Sequence, residues 1–225
     1  MTRQASIKAM KLIMNADTNP FIVYPTVIWD DEHAILVDTG IPGQLEIIRK
    51  QLELSCYPFD RLSHIIITHQ DRDHIGSLPE LVAASEGRVR VLASALTTPY
   101  IQGETPLTKS GAIVPPTHVD QQLEDGEVLP MCGGIQVIVT PGHTPDHISL
   151  YHIPSKTLIT GDALTLHEGR INPPASQFTA DMVTALASVS RLAALDIETV
   201  ITYHGGVCTG EIKGRLMEIA DGVGS

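Results

Sequence analysis

Apolar residues alternate from Ile22 to Ile28, a polar turn follows at Asp30 to His33, and an apolar run from Ala34 to Val37 ends in Asp38-Thr39-Gly40. That pattern predicts a β-hairpin. Pro42 comes next, then Leu45, Ile48 and Leu52 at helical spacing. The continuous run Ile65-Ile66-Ile67 then predicts a buried strand ending in Thr68-His69. The second half repeats the order. Strands are predicted from Ile148 to His152 and from Thr157 to Thr160, the latter ending in Gly161-Asp162. Met182, Leu186, Val189 and Leu192 then mark a helix within residues 179–195, which leads into a strand from Thr199 to Thr202 ending in Tyr203-His204.

Each half therefore ends one strand in an aspartate and a later strand in a histidine, pairing Asp38 with Asp162 and His69 with His204. A repeated β-β-α-β unit sets functional side chains at corresponding strand ends. The expected class is α/β: a four-layer αββα sandwich of two mixed sheets with helices outside, built as a single domain over residues 1–225. Ser77-Leu78-Pro79-Glu80 has the spacing of a capping box and predicts another helix. Residues 94–133 form the longest poorly periodic stretch. They are expected, with the loop from Leu164 to Phe178, to wall a pocket.

Composition removes several function classes. The net charge is −11, from 26 acidic and 15 basic residues, with no basic run to track a phosphate backbone, so nucleic acid is a poor candidate partner. No apolar run reaches the roughly 18 residues of a membrane helix. Met1, Thr2, Arg3 and Gln4, followed by Lys8 and Lys11, do not resemble an apolar leader, and the expected location is cytoplasmic, away from membranes. Cys56, Cys132 and Cys208 are too few and too scattered for a disulfide framework or a thiolate zinc site, and read as reduced and structural. No pattern specifies an oligomeric state.

The chemistry concentrates at strand ends. Thr68-His69-Gln70-Asp71-Arg72-Asp73-His74 carries four potential metal ligands within six residues. Alternate residues His69, Asp71 and Asp73 can point to one side of an extended segment, and His74 lies where the chain begins to turn. Thr140-Pro141-Gly142-His143, Gly161-Asp162 and Tyr203-His204-Gly205-Gly206 come later, each closing an apolar strand.

In this order the segments resemble the metallo-β-lactamase superfamily. The first loop is similar to that family's H-x-H-x-D-H signature, with Asp71 in place of the second histidine, and Asp38-Thr39-Gly40 is similar to its early D-[ST]-G turn. The resemblance covers nearly the whole chain. It implies two divalent metal ions, zinc foremost, with iron and manganese also suited to such ligands. His69, Asp71 and His143 would hold one, Asp73, His74 and His204 the other, and Asp162 would bridge them. The implied reaction is hydrolysis by a metal-bridging hydroxide, with Asp73 the implied catalytic residue. Asp71 either ligates, giving a harder and less zinc-selective first site, or misses the metal and leaves that site weak. Asp38 is read as a group that hydrogen-bonds a ligand histidine or the loop backbone, and His147 as either a support for the ligands or a structural histidine. His33 and His64 read as structural, and His118, His152 and His167 carry no spacing signal.

The chain is compact and acidic, and only 21 residues follow His204. Within the family it resembles, these features set aside RNA-processing members and the glyoxalase II type with its added helical C-terminal domain. The resemblance then implies a small carbonyl substrate, a lactone, ester or thioester, for a glyoxalase II-like or lactonase-like single-domain member. The alternatives are a flavodiiron-like di-iron oxidoreductase, because those relatives carry a carboxylate at the second ligand position, and a non-enzymatic metal-binding or regulatory protein.

Overall fold

The structure is a computed structural model, described here for residues 5–15, 19–55 and 57–222. Cys56 and the Met1 to Gln4 segment lie outside the described residues. Two compact units divide the chain, Met1–Leu123 and Glu124–Ser225.

The first unit contains β1 (Ser6–Ala9), β2 (Leu12–Met14), β3 (Phe21–Val23), β4 (Thr26–Trp29), β5 (Ala34–Val37), α1 (Leu45–Leu54), β6 (His64–Ile67), α2 (Arg72–Ile75), α3 (Leu78–Ala84), β7 (Arg90–Ser94), α4 (Thr98–Ile101) and β8 (Gln121–Leu123). Its main sheet has the order β1-β4-β5-β6-β7-β8. The β1, β4 and β5 strands are antiparallel, whereas β5 to β8 run parallel. Parallel neighbours need crossover connections, and α1 to α4 lie in those connections. Buried on both faces, β5 and β6 read as continuous apolar runs rather than alternating ones.

The second unit contains β9 (Val128–Leu129), β10 (Ile135–Val139), β11 (Ile148–His152), β12 (Thr157–Ile159), β13 (Thr165–His167), β14 (Arg170–Asn172), α5 (Met182–Leu192), β15 (Thr199–Thr202), β16 (Gly206–Thr209) and α6 (Ile212–Ala220). Its main sheet is ordered β16-β15-β12-β11-β10-β9. The β4-β5-α1-β6 arrangement recurs as β11-β12-α5-β15: an antiparallel pair, a helix, and a return strand parallel to the second member. Leu158, Val189, Leu192, Val200 and Leu216 form the centre of this unit's core.

Three local expectations change. The Ile22 to Ile28 alternation is two strands, because Pro25 lacks an N–H for the ladder. Phe21–Val23 pairs with β2, and β4 joins the main sheet. The α3 helix forms without a capping box. The Ser77 hydroxyl donates to the Ile41 carbonyl (2.7 Å) and accepts from the Gln44 N–H (2.8 Å), while Glu80 accepts from the Gly43 N–H (2.9 Å). Those residues tie the helix to the 41–44 turn. The 164–178 segment contains the β13–β14 hairpin and a short 3-10 turn.

No helix among the described residues is long and apolar enough to cross a membrane. Of the described cysteines, Cys132 is buried, Cys208 is partly exposed, and both are free thiols.

His152 is buried, its Nε2–H donating to the Cys132 carbonyl (2.9 Å). Burial lowers its pKa below the ordinary 6.5, so folding favours the neutral ring. The unfolded chain then binds the proton more readily. This residue's contribution is complete above about pH 6.5 and is lost as the pH falls below that value. Thermal midpoints measured from pH 7.5 to 5 should fall less steeply for His152→Gln than for the parent. Equal slopes would remove His152 from the acid sensitivity.

Candidate metal centre

In the first unit the site starts where two adjacent parallel strands end. Val37 lies in register with Ile66, so Asp38 leaves the sheet beside Ile67, one residue before Thr68. Asp38 adopts a left-handed backbone (φ 64°), a conformation most side chains resist but that aspartate tolerates. Its carboxylate organises the loop beyond β6. Oδ1 accepts from the Thr68 N–H (2.9 Å), and Oδ2 accepts from the Thr68 hydroxyl (2.8 Å) and from His74 Nδ1–H (2.9 Å). The Thr68 hydroxyl has given its proton to Asp38, so it accepts from His69 Nδ1–H (3.0 Å).

One buried aspartate thus sets the tautomer of two buried histidines. In the neutral rings both protons sit on Nδ1, which places the lone pair on each Nε2. His69 Nε2 faces Asp71 Oδ2 at 3.3 Å, and His74 Nε2 faces Asp73 Oδ2 at 3.9 Å. Asp71 is the residue before α2, its carbonyl accepting from the His74 and Ile75 N–H groups. Asp73 therefore comes from a helical turn, not from the extended strip that alternation suggested, and His74 lies in that same turn, as expected. Asp73 is the most open of the four, with its side chain 27% exposed.

The second unit repeats the logic. Thr160 hydrogen-bonds to Ile201 across β12 and β15, and Asp162 and His204 follow those strands. The Asp162 N–H donates to His147 Nε2 (3.0 Å), so His147 carries its proton on Nδ1 and donates to the Thr140 hydroxyl (2.8 Å). The relay continues through the Ser149 hydroxyl to the Thr160 carbonyl. His147 therefore holds the Asp162 backbone in place, and its Nε2 is engaged there. Thr179 donates to the Ala175 carbonyl and lies 3.4 Å from His143 Nδ1 as acceptor, leaving the Nε2 lone pair of His143 towards Asp162 Oδ2 at 3.3 Å. The same carboxylate oxygen lies 3.5 Å from His204 Nε2.

Backbone space is tight beside both histidines. A Cβ on Gly142 (φ +133°) would lie 2.3 Å from the Ala185 backbone, and one on Gly205 (φ +123°) 2.1 Å from the Leu166 carbonyl oxygen. Only glycine fits there.

An imidazole lone pair facing a carboxylate oxygen is an arrangement of two acceptors, which a cation between them relieves. Two donors each about 2.0–2.1 Å from one tetrahedral zinc stand about 3.3–3.4 Å apart. The His69–Asp71 and His143–Asp162 separations match that spacing. Nitrogen and oxygen donors of this kind suit zinc, iron and manganese.

Sequence reasoning missed several supporting groups. Thr68, Thr140 and Thr179 act through hydrogen bonds between elements, which no spacing rule encodes. Lys109, from the aperiodic 94–133 stretch, forms an ion pair with Asp71. Gln70 lies between two of the named residues and reaches into that same stretch.

The family model for the metallo-beta-lactamase superfamily matches residues 18–204. The chain belongs to the metallo-β-lactamase superfamily. Among its relatives, the probable metallo-hydrolase YflN of Bacillus subtilis (strain 168) is 30% identical over 221 residues, covering 85% of this chain and 83% of that protein. A hydroxyacylglutathione hydrolase of Fuscovulum blasticum is 33% identical over 159 residues, 69% of this chain and 53% of that protein, so the match spans about half the length of that enzyme. A metallo-β-lactamase family protein from Thermus thermophilus has a similar fold, with a TM-score of 0.73 at 20% identity over 96% of this chain and 78% of that one. The metallo-β-lactamase fold is thus an α/β fold whose two mixed sheets are those of the two units. Membership of this superfamily of metallo-hydrolases agrees with the donor chemistry of the His and Asp residues described above.

Proposed function

We propose that this protein is a dinuclear metal-dependent hydrolase that cleaves a small carbonyl substrate, a lactone, ester or thioester. The supporting observation is the set of imidazoles whose Nδ1 protons are engaged by Asp38, Thr68 and Thr179, so that each Nε2 is directed at a carboxylate in a member of this family. Family membership supports assigning His69, Asp71 and His143 to one metal and Asp73, His74 and His204 to the other, with Asp162 shared. Divalent cations held there would supply the acidity that makes hydroxide from water near neutral pH and would polarise the attacked carbonyl.

The protein's own groups do the rest. Asp73, the most open carboxylate of the first unit's set, orients the attacking water and accepts its proton. Asp38 keeps His69 and His74 in their donor tautomers, and His147 keeps the Asp162 backbone fixed. Similarity to a hydroxyacylglutathione hydrolase favours thioesters among the three substrate types.

The test is a panel of lactones, esters, thioesters, phosphodiesters and β-lactams offered to protein of quantified metal content. Turnover of a carbonyl ester, lactone or thioester, lost on chelation and restored by metal, is expected. Turnover confined to phosphodiesters or β-lactams would replace the substrate class. Chelator-resistant turnover would overturn the metal dependence.

A further inference from the structure

Lys109 lies in a tight turn that is fixed from two sides. The Leu107 N–H donates to the Ala112 carbonyl (2.8 Å) and the Gly111 N–H to the Leu107 carbonyl (2.8 Å), closing the turn on itself. Gln70 then pins it. This fully buried side chain accepts from the Thr108 N–H (2.7 Å) and donates its amide N–H to the Thr108 hydroxyl (2.5 Å). The residue between His69 and Asp71 thus grips the residue immediately before Lys109.

With the turn held this way, Lys109 Nζ pairs with Asp71 Oδ2, the same oxygen that faces His69 Nε2 at 3.3 Å. An ammonium therefore already neutralises the Asp71 oxygen to which a metal cation between these two acceptors would have to bind. Two cations on one carboxylate oxygen repel each other, most strongly where the carboxylate is 8% exposed and water screens poorly. The Asp73 carboxylate beside His74 is far more open, so solvent screens an added cation there.

We propose that Lys109 is a built-in competitor for the cation at the His69–Asp71 pair, so that this pair takes up metal more weakly than the Asp73–His74 pair and the protein fills its metal positions in sequence. The proposal rests on the functional reading above, that these residues bind metal. Lys109 acts here through Asp71, as a positioning residue. At low metal it keeps the Asp71 carboxylate neutralised, and at high metal it must swing aside, which its four-carbon stem permits.

The experiment is zinc titration of metal-stripped full-length protein by calorimetry, with elemental analysis of the bound metal, for the parent, Lys109→Met and Lys109→Gln. The parent should bind one equivalent tightly and a second at least tenfold more weakly. Both variants should bind the second equivalent at least tenfold more tightly than the parent does, and their metal-free thermal midpoints should fall because Asp71 loses a cationic partner. The two variants remove the charge with different side chains, and Lys109 is 36% exposed, so a shared folding failure is not expected. Two equal sites in the parent, or a second affinity unchanged or weakened in both variants, would overturn the competitor role while leaving the metal reading intact. Failure of parent and variants alike to take up zinc would overturn the functional reading and this proposal with it.

Discussion

Changing Asp73 to asparagine is expected to lower kcat/KM for hydrolysis by about 10²–10⁴-fold, the range a positioned proton acceptor supplies. Asparagine keeps the size and one carbonyl oxygen but cannot accept the proton of the attacking water. The fold should survive, because Asp73 is a partly exposed residue in the first turn of α2. The thermal midpoint of the variant should stay near that of the parent, metal affinity should weaken because a charged ligand oxygen becomes a neutral amide, and turnover should still collapse when measured at saturating metal. Asp73→Ala goes further, removing the donor atom as well, and should lose metal together with activity. A parent-like rate in Asp73→Asn would assign the proton to another group.

Asp38 should show a different signature. Its carboxylate accepts three hydrogen bonds, from the Thr68 N–H, the Thr68 hydroxyl and His74 Nδ1–H, in a residue 1% exposed. Asp38→Ala strands those donors, at about 1–3 kcal/mol for each one left unsatisfied, and places a residue that resists φ > 0 at a φ of 64°. A large loss of stability is expected. Asp38→Asn tolerates that backbone and separates stability from function. Its amide cannot accept at both positions, so one histidine loses its enforced tautomer. Metal affinity should fall about 10–100-fold, as for other groups that orient ligand histidines. Calorimetry of metal binding and thermal unfolding on both variants check this. An Asp38→Asn protein with parent metal affinity would make Asp38 a purely structural residue.

Much of the site was legible because chemistry sits where apolar runs stop. The β5, β6, β12 and β15 runs are buried on both faces and therefore unbroken in sequence. The polar residue ending each run marks a strand end at which side chains can gather. The same logic exposed the repeat, since a parallel return strand requires a helix between, and α1 and α5 announce themselves by spacing. What stayed hidden depends on contacts across the chain. Pro25 divides an apparently continuous alternation, and only the partner of Phe21–Val23 reveals two sheets. Ser77 and Glu80 have the spacing of a cap, but the 41–44 turn offers their polar atoms stronger claims. Lys109 stands 38 positions from Asp71 in a segment without periodicity, so no local rule connects the two. His147 was readable as four residues beyond His143, yet its role became definite only through the Asp162 N–H it accepts.

Hydrolysis meets its most direct test in the oxygen isotope content of the product. Metal-loaded protein should turn over its best carbonyl substrate in heavy-oxygen water with dioxygen and electron donors excluded, and the acid product should gain one solvent oxygen per turnover. A requirement for dioxygen, or a product without the solvent label, would contradict hydrolysis and favour a di-iron oxidoreductase.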